Sequence, residues 1–307
     1  MHLHQISEQS AEYVLTRILA DAVDQGWIPP HACSLTHFCQ HLDSREQQQY
    51  SVNTEAGDYF IKRIPESQQS RDAFAAEMKS LLNIIATRTV DTAIPFGTGS
   101  VDGACYLILN HLPLAVHGDW YQAGQKIAAL HNNTSSQGYG FNYTTFCGPT
   151  ALDNRWNDSW ADFFVNQRLK PALEALKARG ELISHSERAL KACRARLEGY
   201  QPTPALLHGD LWSGNIGFIP DQGSSRTVIF DPASYYGDGE VDLAMTELFG
   251  RFPQAFYMGY QKYRDIKAGY DERRPVYQLF HLLNHARLFG GHYVQQAREL
   301  IRSLNHS

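Results

Sequence analysis

The chain has 307 residues, 43% hydrophobic and 19% charged, with a formal net charge of −5. That length suits one large or two medium domains of ordinary globular composition, and the lack of a basic excess argues against nucleic acid as a partner. Five scattered cysteines (Cys33, Cys39, Cys105, Cys147 and Cys193) form no C-x-x-C pair, which argues against a disulfide framework or a zinc knuckle. A reducing compartment and free thiols are expected, although oxidation could pair Cys33 with Cys39. Met1 to Ala11 is polar without an apolar signal core, and no apolar run reaches membrane-spanning length. No membrane partner is expected, and a cytoplasmic location is.

In chain order, Tyr13, Val14, Ile18, Leu19 and Ala22 predict an amphipathic opening helix. "QYSVNT" and "DYFIKRI", separated by Glu55-Ala56-Gly57, predict a β-hairpin. Phe74, Met78, Leu81, Leu82 and Ile85 recur at helical spacing, and "ACYLILN" is a short apolar strand ending near Leu112-Pro113. The remainder reads as helical at 158–179, 184–198, 240–250, 252–264 and 275–304. It is interrupted by the strand-like pieces "PALLHGD", "NIGFIP" and "RTVIFDP". The expected fold class is α+β, with a small β-rich lobe over 1–113 and a larger, mainly helical lobe over 114–307.

The chemistry concentrates in "ALLHGDLWSGNIGF" (205–218). Asp210 and Asn215 stand five apart on a turn after an apolar strand, and Asp231 ends another, Thr227 to Phe230. Pairing of those two strands would bring all three together. One carboxylate could then orient an acceptor hydroxyl and take its proton, while an amide oxygen and a second carboxylate hold magnesium against phosphates. Lys62 ends the run "YFIK", and Glu77 lies on the next helix. A strand lysine paired with a helix glutamate would aim an ammonium at nucleotide phosphates. Each feature alone is common in unrelated folds; their order and spacing together match the protein-kinase plan.

Beyond that plan, "LLHGDLWSGN", "FDPASYYGDGEVDLAMTELFGRFP", "RRPVYQLFHLLNHARLFGGHY" and "FNYTTFCGPTALDNRWNDSWADFFVNQRLKP" resemble the fructosamine kinase family, the ketosamine-3-kinases. The resemblance runs from about Tyr50 to the C-terminus. It implies a two-lobed, protein-kinase-like fold with ATP and Mg²⁺ bound between the lobes. It also implies phosphorylation of the sugar 3-hydroxyl of ketosamines, free or linked to protein lysines, in deglycation repair. On that resemblance Asp210 matches the general base, Asn215 and Asp231 the magnesium ligands, and Lys62 with Glu77 the phosphate-positioning pair. Asn110-His111-Leu112-Pro113 matches the hinge whose backbone bonds the adenine edge. His208 would brace the catalytic loop and Asp242 would anchor it. Trp212 has two readings: an indole stacked on the sugar or its amine, or an aromatic wedged under the loop.

One departure stands out. Where the family tends to have paired glycines in the phosphate loop, "QHLDSREQQQ" carries Asp43 and Ser44. An aspartate facing phosphate repels it, so weak nucleotide binding or an altered donor is one expectation. His281, His285 and His292 lack the H-E-x-x-H pattern and read as packing and surface histidines. Glu240 and Asp242 read as acids favouring a helix N-terminus, and Arg188, Lys191, Arg194 and Arg196 as a solvated face. The alternatives are an aminoglycoside- or choline-kinase-like phosphotransferase, or a non-catalytic relative that binds nucleotide or glycated ligand.

Overall fold

The structure is a computed structural model that describes residues 2–43, 47–115, 117–181 and 184–306. It separates into two compact units, Met1–Ala86 with Asp91–Ala115, and Thr87–Val90 with Val116–Ser307.

The first unit opens with α1 (His2–Asp24). Strands β1 (Leu35–Asp43), β2 (Gln48–Thr54) and β3 (Gly57–Pro65) follow, then α2 (Gln68–Thr87), the two-residue β4 (Asp91–Thr92), β5 (Pro95–Val101) and β6 (Ala104–Asn110). Its antiparallel sheet has the order β1-β2-β3-β6-β5. The hairpin expected from the sequence is β2–β3. Gln40 to Asp43, expected to lie in the phosphate loop, instead extend β1 and pair with Tyr50 to Gln48. Ser44 lies outside the described residues.

Both faces of this sheet are covered, so alternation along each strand sorts side chains between two layers. Tyr59, Ile61, Tyr106 and Ile108 pack with Leu15, Ile18, Leu19 and Ala22 of α1. Cys105, Leu107 and Leu109 pack with Phe74 and Leu81 of α2, flanked by Phe60 and Ile64. The expected buried faces of these helices differ from the observed ones in places. Tyr13 is exposed while Leu15 is buried, and on α2 Leu82 and Ile85 are exposed while Ile84 is buried.

The second unit contains α3 (Trp120–His131), whose first turn is capped by the Asp119 carboxylate accepting from the Gln122 N–H. A small hairpin, β7 (Thr145–Cys147) with β8 (Thr150–Leu152), comes next. The run expected at 158–179 is α4 (Trp160–Phe164), a π-helical turn over Val165–Leu169 and α5 (Lys170–Ala178). Then come α6 (Ser186–Leu197), β9 (Ala205–Leu206), β10 (Ile216–Asp221), β11 (Ser224–Ile229) and β12 (Tyr236–Gly237).

Helices α7 (Glu240–Thr246), α8 (Gln254–Gln261), α9 (Tyr270–Phe289) and α10 (His292–His306) complete the chain. The α7 helix stops four residues short of the expected end. The single helix expected at 275–304 is two, because the backbone turns left-handed at Gly290 (φ 63°) and Gly291 (φ 56°). The basic face of α6 is solvated as expected, with Arg188 and Lys191 exposed, and its arginines are also hydrogen-bonded: Arg194 to the Asp162 carboxylate at 2.5 Å, and Arg188 and Arg196 to carbonyls of α10. Among the described residues no helix is long and apolar enough to cross a membrane.

Candidate active site

In the first unit, strand parity determines where Lys62 points. It follows Ile61 of the α1 layer, so it faces the α2 layer, where Glu77 lies. The Lys62 Nζ sits 2.6 Å from the Glu77 Oε1, with the lysine side chain 3% exposed. A buried ammonium needs such a partner, because stranding the charge in low dielectric would cost several kcal/mol.

At the end of β6, the N–H of Asn110 bonds the Ile94 carbonyl and the N–H of His111 bonds the Asp58 carbonyl, both at 3.0 Å. The Asn110 Oδ1 also accepts from the Ile94 N–H at 2.6 Å. Pro113 has no N–H. Leu112 therefore carries the N–H of this four-residue segment that no described hydrogen bond uses.

In the second unit, the loop after β9 is held from both sides. The Asp242 carboxylate, near the start of α7, accepts the backbone N–H of His208 at 2.8 Å and of Gly209 at 2.9 Å. It also lies 3.0 Å from the His131 Nε2, while the His131 Nδ1 lies 2.8 Å from the Tyr260 hydroxyl. Burial pushes the His131 imidazole below its ordinary range, so it is neutral. The hydroxyl then donates to Nδ1, and Nε2–H donates to the carboxylate. Burial opposes the Asp242 charge, but the hydrogen bonds from His131 and the Gly209 N–H hold its carboxyl below the usual range.

His208 is buried and lowered by desolvation in the same way. Its Nδ1 accepts from the Asp210 N–H at 3.2 Å, so its Nε2 carries the hydrogen and donates to the Phe230 carbonyl at 2.9 Å. Gly209, at φ 87°, allows the turn between them. A Cβ there would stand 2.2 Å from the Ala233 carbonyl oxygen.

Asp210, Asn215 and Asp231 do converge, though by a different pairing from the one expected. β11 pairs antiparallel with β10, not with β9, across the tight turn at Gln222-Gly223, while β9 pairs with β12. A two-residue connection makes a hairpin partner of the following strand before a distant one can compete. The Phe230 N–H bonds the Asn215 carbonyl at 3.1 Å, and Asp231 follows at φ 59°, a left-handed conformation unusual for a residue with a side chain.

The Asn215 Nδ2 donates to the Asp210 carbonyl at 2.9 Å and to its Oδ2 at 3.2 Å. Burial first, then the charges of Asp231 and Asp242, raise the Asp210 carboxyl to about 7. Its Oδ1 is closed to solvent. Trp212 is half-buried, with its ring against the backbone of Gly214.

Several neighbours escaped the sequence reading. His281 is a fully buried packing histidine, one of the two kinds expected, but its place beside Asp210, with its Nδ1 3.8 Å from the Asp210 Oδ1, was not foreseen. His292 starts a separate helix, so the shared face of three histidines does not form. Glu240 does more than favour a helix terminus: its two oxygens take the Arg273 guanidinium, each at 2.7 Å, and both side chains are buried. His131 had no local signature at all.

The fold is that of the protein-kinase-like phosphotransferases. The aminoglycoside phosphotransferase APH(4)-Ia, in a ternary complex with AMP-PNP and hygromycin B, superposes with a TM-score of 0.64 at 15% identity, over 89% of this chain and 94% of that one. The fructosamine kinase family model matches residues 40–307, and the chain belongs to that family. It is 44% identical to a probable ketoamine kinase of Synechocystis sp., covering 80% of this chain and 82% of that protein. It is 35% identical to a probable ketoamine kinase of Vibrio parahaemolyticus, covering 83% and 88%. The crystal structure of a putative fructosamine-3-kinase from Haemophilus somnus superposes with a TM-score of 0.83 at 28% identity, over 95% of this chain and 97% of that one.

Proposed function

We propose that this kinase uses ATP to phosphorylate the sugar 3-hydroxyl of ketosamines, free or attached to protein lysines, and thereby serves deglycation repair. The observation that carries the reading is the Asp210 carboxylate, fixed by Asn215 and by a braced backbone, and raised to about 7. A carboxylate tuned toward neutrality is a better proton acceptor than an ordinary one, yet is still available as a base at physiological pH.

In this reading the acceptor hydroxyl lies against the Asp210 Oδ2, because Oδ1 is turned inward. The carboxylate orients the hydroxyl for in-line attack and takes its proton at Oδ2. Lys62, held by Glu77, directs its ammonium to the phosphates of ATP. The Leu112 N–H meets the adenine edge, within the segment Asn110, His111, Leu112 and Pro113. The half-buried Trp212 offers an indole face to the sugar or the amine it carries.

The donor set fits a magnesium ion, which prefers hard oxygens. Asn215 commits its Nδ2 to Asp210, leaving the amide Oδ1 for a cation, and Asp231 adds a carboxylate. Asn215 and Asp231 would hold Mg²⁺, which when bound neutralises charge on the transferring phosphoryl group. Phosphate at the 3-position would promote spontaneous loss of the adduct from the amine.

The test is incubation of the purified chain with Mg-ATP and a panel of fructosamine, ribulosamine and erythrulosamine adducts, an aminoglycoside and choline. ADP release would be followed and the phosphate located by NMR. Turnover confined to the ketosamines, with phosphorus on O3, is expected. Preference for the aminoglycoside or choline would replace this reading with the other phosphotransferase. Nucleotide or ligand binding without turnover on any substrate would make the chain a non-catalytic relative.

A further inference from the structure

On the inner side of Asp210, away from the proposed acceptor, three side chains meet that the proposed reaction does not need together. The Cys147 thiol at the end of β7, the Asp210 Oδ1 and a ring nitrogen of His281 on α9 all lie within 4.8 Å of one another. Cys147 is 3% exposed and His281 fully buried. The Cys147 thiol interacts with the Asp210 carboxylate, while both ring nitrogens of His281 are buried without a hydrogen-bond partner. Buried unpartnered polar atoms are rare, so an unpartnered imidazole beside a thiol and a carboxylate points to a ligand role for the three.

We propose that Cys147, Asp210 and His281 form a thiolate-containing transition-metal site, filled by Zn²⁺, that withdraws Asp210 from use. One sulfur, one imidazole nitrogen and one carboxylate oxygen form a typical three-ligand zinc set with a fourth position open. Ligand atoms sharing one zinc, at about 2.3 Å for sulfur and about 2.0 Å for nitrogen and oxygen, lie roughly 3–4 Å apart. The His281 Nδ1 and the Asp210 Oδ1, 3.8 Å apart, would have to close by about half an ångström to share a tetrahedral zinc.

Burial disfavours protonation of His281 but also raises the Cys147 thiol, so metal binding there has to displace the thiol proton and weakens as pH falls. Asp231 and Asp242 add negative potential at Asp210. The buried guanidinium of Arg168, and His285 beside His281, oppose a cation there, while the carboxylates of Asp210 and Asp242 favour one. The soft sulfur selects zinc over magnesium, so the Mg²⁺ accompanying ATP does not fill the site.

Coordination forms a Zn–S bond as the Cys147 S–H proton leaves to solvent, and nothing is oxidised. The carboxylate then shares its charge with the metal and loses basicity toward the acceptor. Inhibition rests on the role proposed for Asp210; metal binding does not, so the two are tested separately.

Co²⁺ is titrated into the full-length chain as a spectroscopic stand-in for Zn²⁺. A thiolate-to-cobalt absorption saturating at one ion per chain is expected, displaced by Zn²⁺, and missing in Cys147→Ser and Cys147→Ala that keep the native circular dichroism. Serine preserves a group able to accept from the Asn284 amide, which in the native chain lies 3.3 Å from the Cys147 sulfur. In the kinase assay, each protein normalised to its own metal-free rate, Zn²⁺ should inhibit the native chain at concentrations at least about 10-fold below those needed for either variant, with reversal by a chelator. An absent cobalt–thiolate band, a band unchanged in both variants, or equal zinc sensitivity would overturn the proposal.

Discussion

Asn215 grips Asp210 twice, donating its Nδ2 to the main-chain carbonyl at 2.9 Å and to the carboxylate at 3.2 Å. In the reaction proposed above, this grip would fix the carboxylate for an incoming hydroxyl. Asp210→Asn preserves the shape and an acceptor for Asn215 while removing the base. It should lower kcat by about 10²–10⁴-fold, the usual contribution of a positioned proton acceptor. It should also raise Tm, because it deletes a carboxylate crowded by Asp231 and Asp242. Calorimetry and steady-state kinetics on the same preparation check both; a slower enzyme that is also less stable would count against this assignment.

The raised Asp210 carboxyl predicts a rise in kcat/KM with pH, with a midpoint near the folded value of about 7. The stability consequence has the opposite sign. Between roughly pH 4, the unfolded value, and pH 7, the folded chain holds a proton that the unfolded chain has lost. This group therefore makes stability fall as pH rises through that window, by up to about 1.4 kcal/mol per pH unit, and leaves it level above. Denaturant unfolding from pH 4 to 8 should show this component in the native chain and lack it in Asp210→Asn.

Much of this arrangement was legible because it is local. Lys62 could be assigned a direction from strand alternation alone, and Asp210 and Asn215 share one loop. The chain also announces its Gly290-Gly291 break openly, yet apolar spacing continues across it and suggested one helix. His131 is invisible for a different reason. It lies 111 residues from its partner Asp242, and an ordinary histidine ending an ordinary helix carries no pattern. His281 and Cys147 share that problem, since their meaning arises from the packing of α9 and β7 around Asp210. The β10–β11 pairing was legible in the Gln222-Gly223 turn, and the expectation of a β9 partner passed over it.

Asp242→Ala should be the most damaging single change away from the reacting groups. It orphans the buried N–H groups of His208 and Gly209 and strips His131 of its acceptor. At about 1–3 kcal/mol per stranded donor, the three donors put the expected loss on the order of 3–9 kcal/mol. Asp242→Asn, which can accept at one oxygen only, should lose less and retain a folded loop. Chemical denaturation ranks the three proteins, and equal stability of native and alanine forms would remove Asp242 as the anchor.

Lys62 and Glu77 give the last prediction, because their pair separates charge from position. Lys62→Ala removes the ammonium and should cut kcat/KM for ATP by about 10²–10³-fold, as expected for losing a preorganised donor to developing phosphate charge. Glu77→Gln leaves the ammonium in place but lets it wander, since a neutral amide holds a buried lysine weakly. Its loss should be smaller, and it should appear in kcat more than in the dissociation constant for ATP. Glu77→Asp keeps the charge on a shorter arm and should recover part of it. If Glu77→Gln equalled Lys62→Ala, the glutamate would be needed for more than orienting the lysine; if neither changed ATP kinetics, the 2.6 Å pair would be a structural contact of α2 with its sheet.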